Sequence, residues 1–178
     1  MEIVRIFDDH LFSFKHNDCE NEFSKLFDFW SDIEQLEEFF EANKYDLQKP
    51  FWNYLSVEDA IYRTIQESGK LEDSLRNLSK QTIDKLKGLD SLFRPLNDLQ
   101  TNVVELNKSK AKQNWLRMYA LKIENNAYLI TGGAIKLTRT MQERKHTQLE
   151  LNKINSCHDY LLRKGIIDRK GIVEAFEL

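Results

Sequence analysis

Cysteine, proline and glycine are all scarce in this chain: two, two and six residues out of 178. Cys19 and Cys157 lie far apart with no CxxC pair, which argues against a zinc site or a disulfide framework and leaves two buried thiols as the expectation. So few glycines and prolines argue against flexible linkers and low-complexity tails. Long apolar runs are also missing, and none approaches the roughly 18–20 residues that a bilayer span requires. The opening MEIVRIFDDH does not read as a basic-then-apolar leader. A soluble, cytoplasmic chain folding as a single domain over residues 1–178 is therefore the expectation, and 41% hydrophobic residues suffice for one good core.

Charge is plentiful but unevenly placed. Residues 1–100 carry 12 Lys+Arg against 21 Asp+Glu, net −9, whereas residues 101–178 carry 14 against 8, net +6; together they give the overall −3. A near-neutral total thus hides two fields of opposite sign, and the basic half is where a polyanion would bind.

Apolar spacing divides the chain along nearly the same line. The opening Ile3–Phe7 and Leu11–Lys15, separated by Asp8-Asp9-His10, read as a short strand or hairpin. Phe23, Leu26, Phe27 and Trp30 form a helical stripe. Ser31-Asp32-Ile33-Glu34 has the form of a capping box, predicting a second helix to about Asn43. Ser56-Val57-Glu58-Asp59 starts a third, whose period continues towards Gly88 with a break near Gly69. Residues 20–88 are thereby expected to be helical and acidic, with the Phe and Trp stripe from Phe23 to Phe40 as core.

The basic half reads as sheet. Trp115–Ile123 and Ala127–Leu137 are rich in aromatic and β-branched residues, and Asn125-Asn126 between them suits a two-residue hairpin loop, because Asn tolerates positive φ. That loop pairs Tyr119 with Gly132, Arg117 with Ala134 and Trp115 with Lys136. Opposed residues share a face, so Trp115, Arg117, Tyr119, Tyr128 and Lys136 are expected on one side. Leu116, Met118, Ala120, Leu129, Ile135 and Leu137 are expected on the other, beneath helices. Arg139, Arg144, Lys145 and His146 follow in quick succession. Thr147-Gln148-Leu149-Glu150 then has the form of a capping box before a helix that Gly165 ends. Residues 166–178 read as a short strand or docked tail.

Over roughly residues 112–165 this order resembles the sheet and C-terminal helix of the RelE/HigB-like toxin superfamily of bacterial toxin–antitoxin modules. The likeness rests on an Arg in the hairpin strand, Leu116-Arg117-Met118-Tyr119, and on a second strand through TGGAIKLT that closes with Gly133-Ala134-Ile135-Lys136. It implies an α+β fold, a small antiparallel sheet with a C-terminal helix, joined to the mainly helical acidic N-terminal segment or insertion. It also implies an endoribonuclease acting on messenger RNA, on the ribosome in many members, and a cognate antitoxin as protein partner. Neither a metal nor a cofactor is implied. On this reading Arg117, Lys136 and His146 are the catalytic candidates: the two cations neutralise phosphate, and an imidazole is the usual choice for proton transfer. Tyr119 and Tyr128 could stack bases, while Arg139, Arg144 and Lys145 extend the RNA footprint. Gly132-Gly133 could leave room for a nucleotide, or mark a bulge. The acidic segment would serve as a docking platform or as a cover over the basic face. The same residues also admit a noncatalytic RNA- or protein-binding module. Arg139 and His146 are in addition spaced like the Arg–His motif of all-helical HEPN-type nucleases, although their surroundings read as strand and loop.

Overall fold

The computed structural model describes residues 1–16, 19–80, 88–96, 107–139 and 143–176. Its strands are β1 (Glu2–Phe7), β2 (Leu11–Lys15), β3 (Phe93–Pro95), β4 (Asn107–Gln113), β5 (Leu116–Glu124) and β6 (Ala127–Ile135). Its helices are α1 (Glu22–Ser31), α2 (Ile33–Ala42), α3 (Lys44–Leu47), α4 (Val57–Ser79), α5 (Lys145–Lys164) and α6 (Arg169–Phe176), with single 3-10 turns at Pro50–Trp52 and Leu89–Ser91. The chain is thus α+β. Among the described residues no helix is long and apolar enough to cross a membrane.

The six strands form one sheet in the order β1-β2-β6-β5-β4-β3. All neighbours run antiparallel except β2 and β6, which are parallel and set Leu11 beside Tyr128 and Ser13 beside Ile130. Both faces carry helices. On one, α1, α2 and α4 bury Trp30, Leu36, Phe40, Leu71 and Leu75 against Leu11, Trp115, Leu116, Met118 and Ile130. On the other, α5 and α6 bury Ile154, Cys157, Leu161 and Ile172 against Phe12, Phe14, Tyr119, Leu121 and Leu129.

Local chemistry explains the helix boundaries. Asp32 caps α2 by accepting from the Gln35 amide at 3.0 Å, while Ser31 belongs to the last turn of α1, so the cap falls one residue later than the Ser-x-x-Glu pattern predicts. Ser56 caps α4 as expected, accepting from the Asp59 amide at 3.1 Å. That helix runs unbroken through Gly69; the continuation predicted towards Gly88 falls largely outside the described residues. Helix α5 starts at Lys145 and not after Thr147, because Thr147 is buried in the first turn with its hydroxyl donating to the Arg144 carbonyl at 2.9 Å. Gly165, at φ 69°, ends it as expected. The final segment is helix α6, not a strand. Cys157 is buried but Cys19 is exposed, which corrects the second thiol.

The central hairpin turns at Asn125-Asn126 as the sequence predicts, with Glu124 opposite Ala127 and Arg117 opposite Ala134. Two register shifts lie between those points. Lys122 opposes Tyr128, leaving Ile123 as an extra residue on β5, and Thr131 is the extra residue on β6 between the pairs Ala120–Ile130 and Tyr119–Gly132. The shifts cancel at the open end but displace the residues between them. Tyr128 and Leu129 therefore change places: Tyr128 joins the α1/α2/α4 face and Leu129 the α5/α6 face. Trp115 also departs from expectation. It lies in the turn before β5 and drops into the α1/α2/α4 core, where its indole donates to the Thr64 hydroxyl at 3.1 Å.

Candidate nucleic-acid interface

Strand β4 contributes what the hairpin alone does not contain. Its Lys108-Ser109-Lys110-Ala111-Lys112 alternates with period two, so three lysines project to one face while Ala111 enters the core on the other. Register aligns them: Lys108 opposes Leu121, Lys110 opposes Tyr119, Lys112 opposes Arg117, and Arg94 of β3 opposes Lys110. Arg94, Lys108, Lys110, Lys112 and Arg117 therefore lie on the face of Tyr119 and Leu121. This is the α5/α6 face, and α5 packs over β6 and β5. The sequence reading passed over β3 and β4, although the alternation of lysine with small residues marked the strand.

Lys136, just beyond β6, completes the group. Arg117, Lys110 and Lys112 are close enough that, after burial, they are the next influences holding the Lys136 ammonium below its ordinary pKa; Glu143 acts in the opposite sense. Burial also lowers the Arg117 pKa, opposed by Tyr119. Backbone carbonyls hold these cations in place. Arg117 donates to the Asn114 and Leu116 carbonyls at 2.6 and 2.8 Å, Lys136 to the Arg139 carbonyl at 2.6 Å, and Lys110 to the Leu96 carbonyl at 3.3 Å. Among the described residues no carboxylate makes a salt bridge to Arg94, Lys108, Lys110, Lys112, Arg117, Lys136 or Arg139. Carbonyl anchoring fixes position without cancelling charge, so the face keeps a positive field.

Beside this field lies a buried ionic cluster. Glu22, at the first turn of α1, accepts from Lys153 of α5 at 2.8 Å and from Lys25 at 3.1 Å, and Lys153 also pairs with Glu150 at 2.8 Å. Burial pushes the Glu22 carboxyl up, but Lys153 and Lys25 together outweigh it and hold the pKa below its ordinary value. Glu150 is raised by burial despite Lys153. Lys153 is raised because its two carboxylates overcome burial. The nearby Cys157 thiol is pushed up to about 12 by burial, which makes it inert. Gly132 is obligatory here: at φ 152° its missing side chain leaves room for the Glu150 carboxylate and Lys153 ammonium. The nucleotide space considered for this glycine is occupied by α5 side chains. Tyr119 Oη is buried with no hydrogen-bond partner among the described residues, and Tyr119 interacts electrostatically with both Arg117 and Glu150.

The remaining candidates are held by other contacts. His146 places Nε2 2.9 Å from the Ile135 carbonyl and its ring edge-on to Phe39 at 5.2 Å. Tyr128 is 2% exposed, stacks on Phe93 at 4.3 Å and donates to Asp90 at 2.6 Å, on the face opposite Arg117. Tyr119 is 1% exposed. Neither ring is open to a base in this arrangement. Arg144 forks onto the buried Asp46 carboxylate at 2.9 and 2.6 Å, tying α5 to α3. Lys145 and Arg139 are exposed. Arg139 precedes α5 and is not on one helix with His146, unlike the all-helical arrangement of the HEPN motif.

No family model, curated protein or solved structure matches this chain.

Proposed function

We propose that this chain is a RelE/HigB-like toxin or toxin-like protein of a toxin–antitoxin module, a cytoplasmic, metal-independent endoribonuclease acting on messenger RNA. One observation carries the reading: a set of cations from β3, β4, β5 and the end of β6, of which Arg117, Lys136 and Lys110 are held by backbone carbonyls and none makes a salt bridge among the described residues. Such a face fits the phosphate chain of RNA, whose binding would offset the repulsion of Lys136 by the nearby Arg117, Lys110 and Lys112.

In the reaction the 2′-hydroxyl of one nucleotide attacks its 3′-phosphate. The O2′–P bond forms, the P–O5′ bond breaks, one proton leaves O2′ and another reaches O5′. Arg117 would neutralise the phosphorane-like transition state through its remaining donors. Lys136, its ammonium made more acidic by burial and neighbouring cations, suits protonation of O5′. His146 would have to exchange its Ile135 contact to take the proton from O2′. The setting to examine is the ribosomal decoding site, and a cognate antitoxin would lay an acidic segment over the cations.

A second reading, a noncatalytic RNA- or protein-binding module, is favoured by the same histidine: its Nε2 contacts backbone and its ring packs against Phe39. Induced expression in a bacterial host separates the two. Growth arrest with new 5′ ends in messenger RNA, relieved by Arg117→Ala/Lys136→Ala, supports the nuclease. RNA binding without cleavage, even on ribosomes, supports the module.

A further inference from the structure

The segment between α2 and α4 exposes aromatic rings that no core requires. Tyr45, Phe51 and Tyr54 are 79%, 82% and 62% exposed, although they lie within ten positions of one another. Their base is firmly held. Leu47 is fully buried, the Trp52 ring packs on Trp115 at 5.2 Å, and the Trp52 indole donates to the Leu137 carbonyl at 3.0 Å. Asp46, beside Tyr45, is clamped by Arg144 at 2.6 Å and Lys49 at 2.9 Å. Asn53 and Tyr54 follow at φ 55° and 54°, a left-handed pair that a bulky residue such as Tyr rarely adopts. The fold thus holds a tight turn that leaves the Tyr54 ring in solvent.

We propose that Tyr45, Phe51 and Tyr54 form a base-stacking platform for single-stranded RNA, placed beside the phosphate-binding cations. This rests on the RNA reading above and adds how bases, as opposed to phosphates, are engaged. Position is the first argument. The segment is bonded to Leu137, next to Lys136, and to Arg144, which fixes its base at the Lys136–Arg139 end of the sheet. Chemistry is the second. Between residues 44 and 55 the exposed large apolar side chains are these three rings with Pro50 beside Phe51, Leu47 being buried and Leu55 half-buried, and a surface made mainly of flat aromatic faces suits bases. Charge is the third. Lys49 sits 5.4 Å from the Tyr45 ring centroid, while the acid of the turn, Asp46, is neutralised. A rigid base means that little ordering is needed on binding. The buried Tyr119 and Tyr128 leave the stacking role to rings elsewhere.

The test is fluorescence anisotropy with two labelled probes of equal length, a short unstructured oligouridylate and its abasic ribose-phosphate analogue. Wild type is compared with Tyr45→Ala/Phe51→Ala/Tyr54→Ala, with the ring-conserving Tyr45→Phe/Tyr54→Phe, and with Arg117→Ala/Lys136→Ala. Wild type should prefer the oligouridylate by about 5- to 100-fold, the range that one stacked base supplies. The triple variant should lose that preference while holding the abasic probe as before, and the ring-conserving variant should keep it. The Arg117/Lys136 variant should weaken on both probes. If wild type binds the oligouridylate and the triple variant binds it equally well, the platform is wrong and the RNA reading stands. If wild type binds neither probe, the RNA reading fails and the platform with it. If the triple variant changes only the oligomeric state in size-exclusion chromatography, the rings form a protein interface and the proposal is overturned.

Discussion

The two faces of the sheet solve opposite problems. Where α1, α2 and α4 lie, an acidic stretch of sequence supplies Trp30, Leu36, Phe40, Leu71 and Leu75 to a continuous apolar core. On the opposite face, the β3–β4–β5 end presents lysines and arginines, Lys110 and Arg117 among them anchored on carbonyls. Among the described residues the helices α1, α2 and α4 therefore lie behind the cations and not over them. Carboxylates on their outer surface can keep the molecule soluble without cancelling the field in front.

Removing residues 20–88 is the harshest way to break that contrast. It should leave an insoluble or aggregated product, because the face bearing Leu116, Met118 and Ile130 would lie open; a monodisperse, folded fragment in size-exclusion and NMR would refute the structural role. Next in size, Trp30→Ala should cost about 3–5 kcal/mol and Leu75→Ala about 2–5 kcal/mol in urea unfolding, since both side chains are fully buried.

The ionic cluster sharpens the comparison through pH. Glu22→Gln leaves Lys153 short of one partner and should cost about 3 kcal/mol near neutrality. The carboxyl pKa is depressed in the fold, so this contribution is complete above the ordinary value of 4.5 and is lost as pH falls through the lower folded value. Stability curves of wild type and variant should accordingly converge in acid. Parallel curves down to the lowest pH would show that the pair carries no such linkage.

The smallest structural effect belongs to the cationic face. Arg117→Ala/Lys136→Ala should change stability by no more than about 1 kcal/mol, because only carbonyl contacts are lost. In RNA binding the same variant should flatten the dependence of log K on log salt by about 1.4, at roughly 0.7 per phosphate contact on a single strand. An unchanged slope would remove both residues from the interface.

Much of this architecture was legible in the residues. Period-two alternation marked β1, β2, β5 and β6, helical stripes marked α1, α2 and α4, and Asn125-Asn126 marked the turn. What failed did so for identifiable reasons. The capping-box pattern at Thr147 was overruled because burying that side chain suits the first turn of a helix already begun at Lys145. The faces of Tyr128 and Leu129 depended on two extra residues, Ile123 and Thr131, which no local pattern announces. Of the candidate site, Arg117, Lys136 and Arg139 do gather at one end and His146 lies against Ile135 next to Lys136, whereas Arg144 and Tyr128 are engaged elsewhere.

The sequence by itself determined strands β1, β2, β5 and β6 and the bodies of helices α1, α2, α4 and α5, the division of charge between halves, and the pairing of Arg117 with Ala134. Those follow from periodicity, composition and turn chemistry, which act over a few residues at a time. Only the tertiary structure decided that β2 runs parallel beside β6, that the lysines of β4 and Arg94 line up with Arg117, and that the aromatic turn at 45–54 is bonded to Leu137 and Arg144. These juxtapositions come from burying two apolar faces of one sheet at once, a constraint that acts on the whole chain and leaves no mark in any short stretch of it.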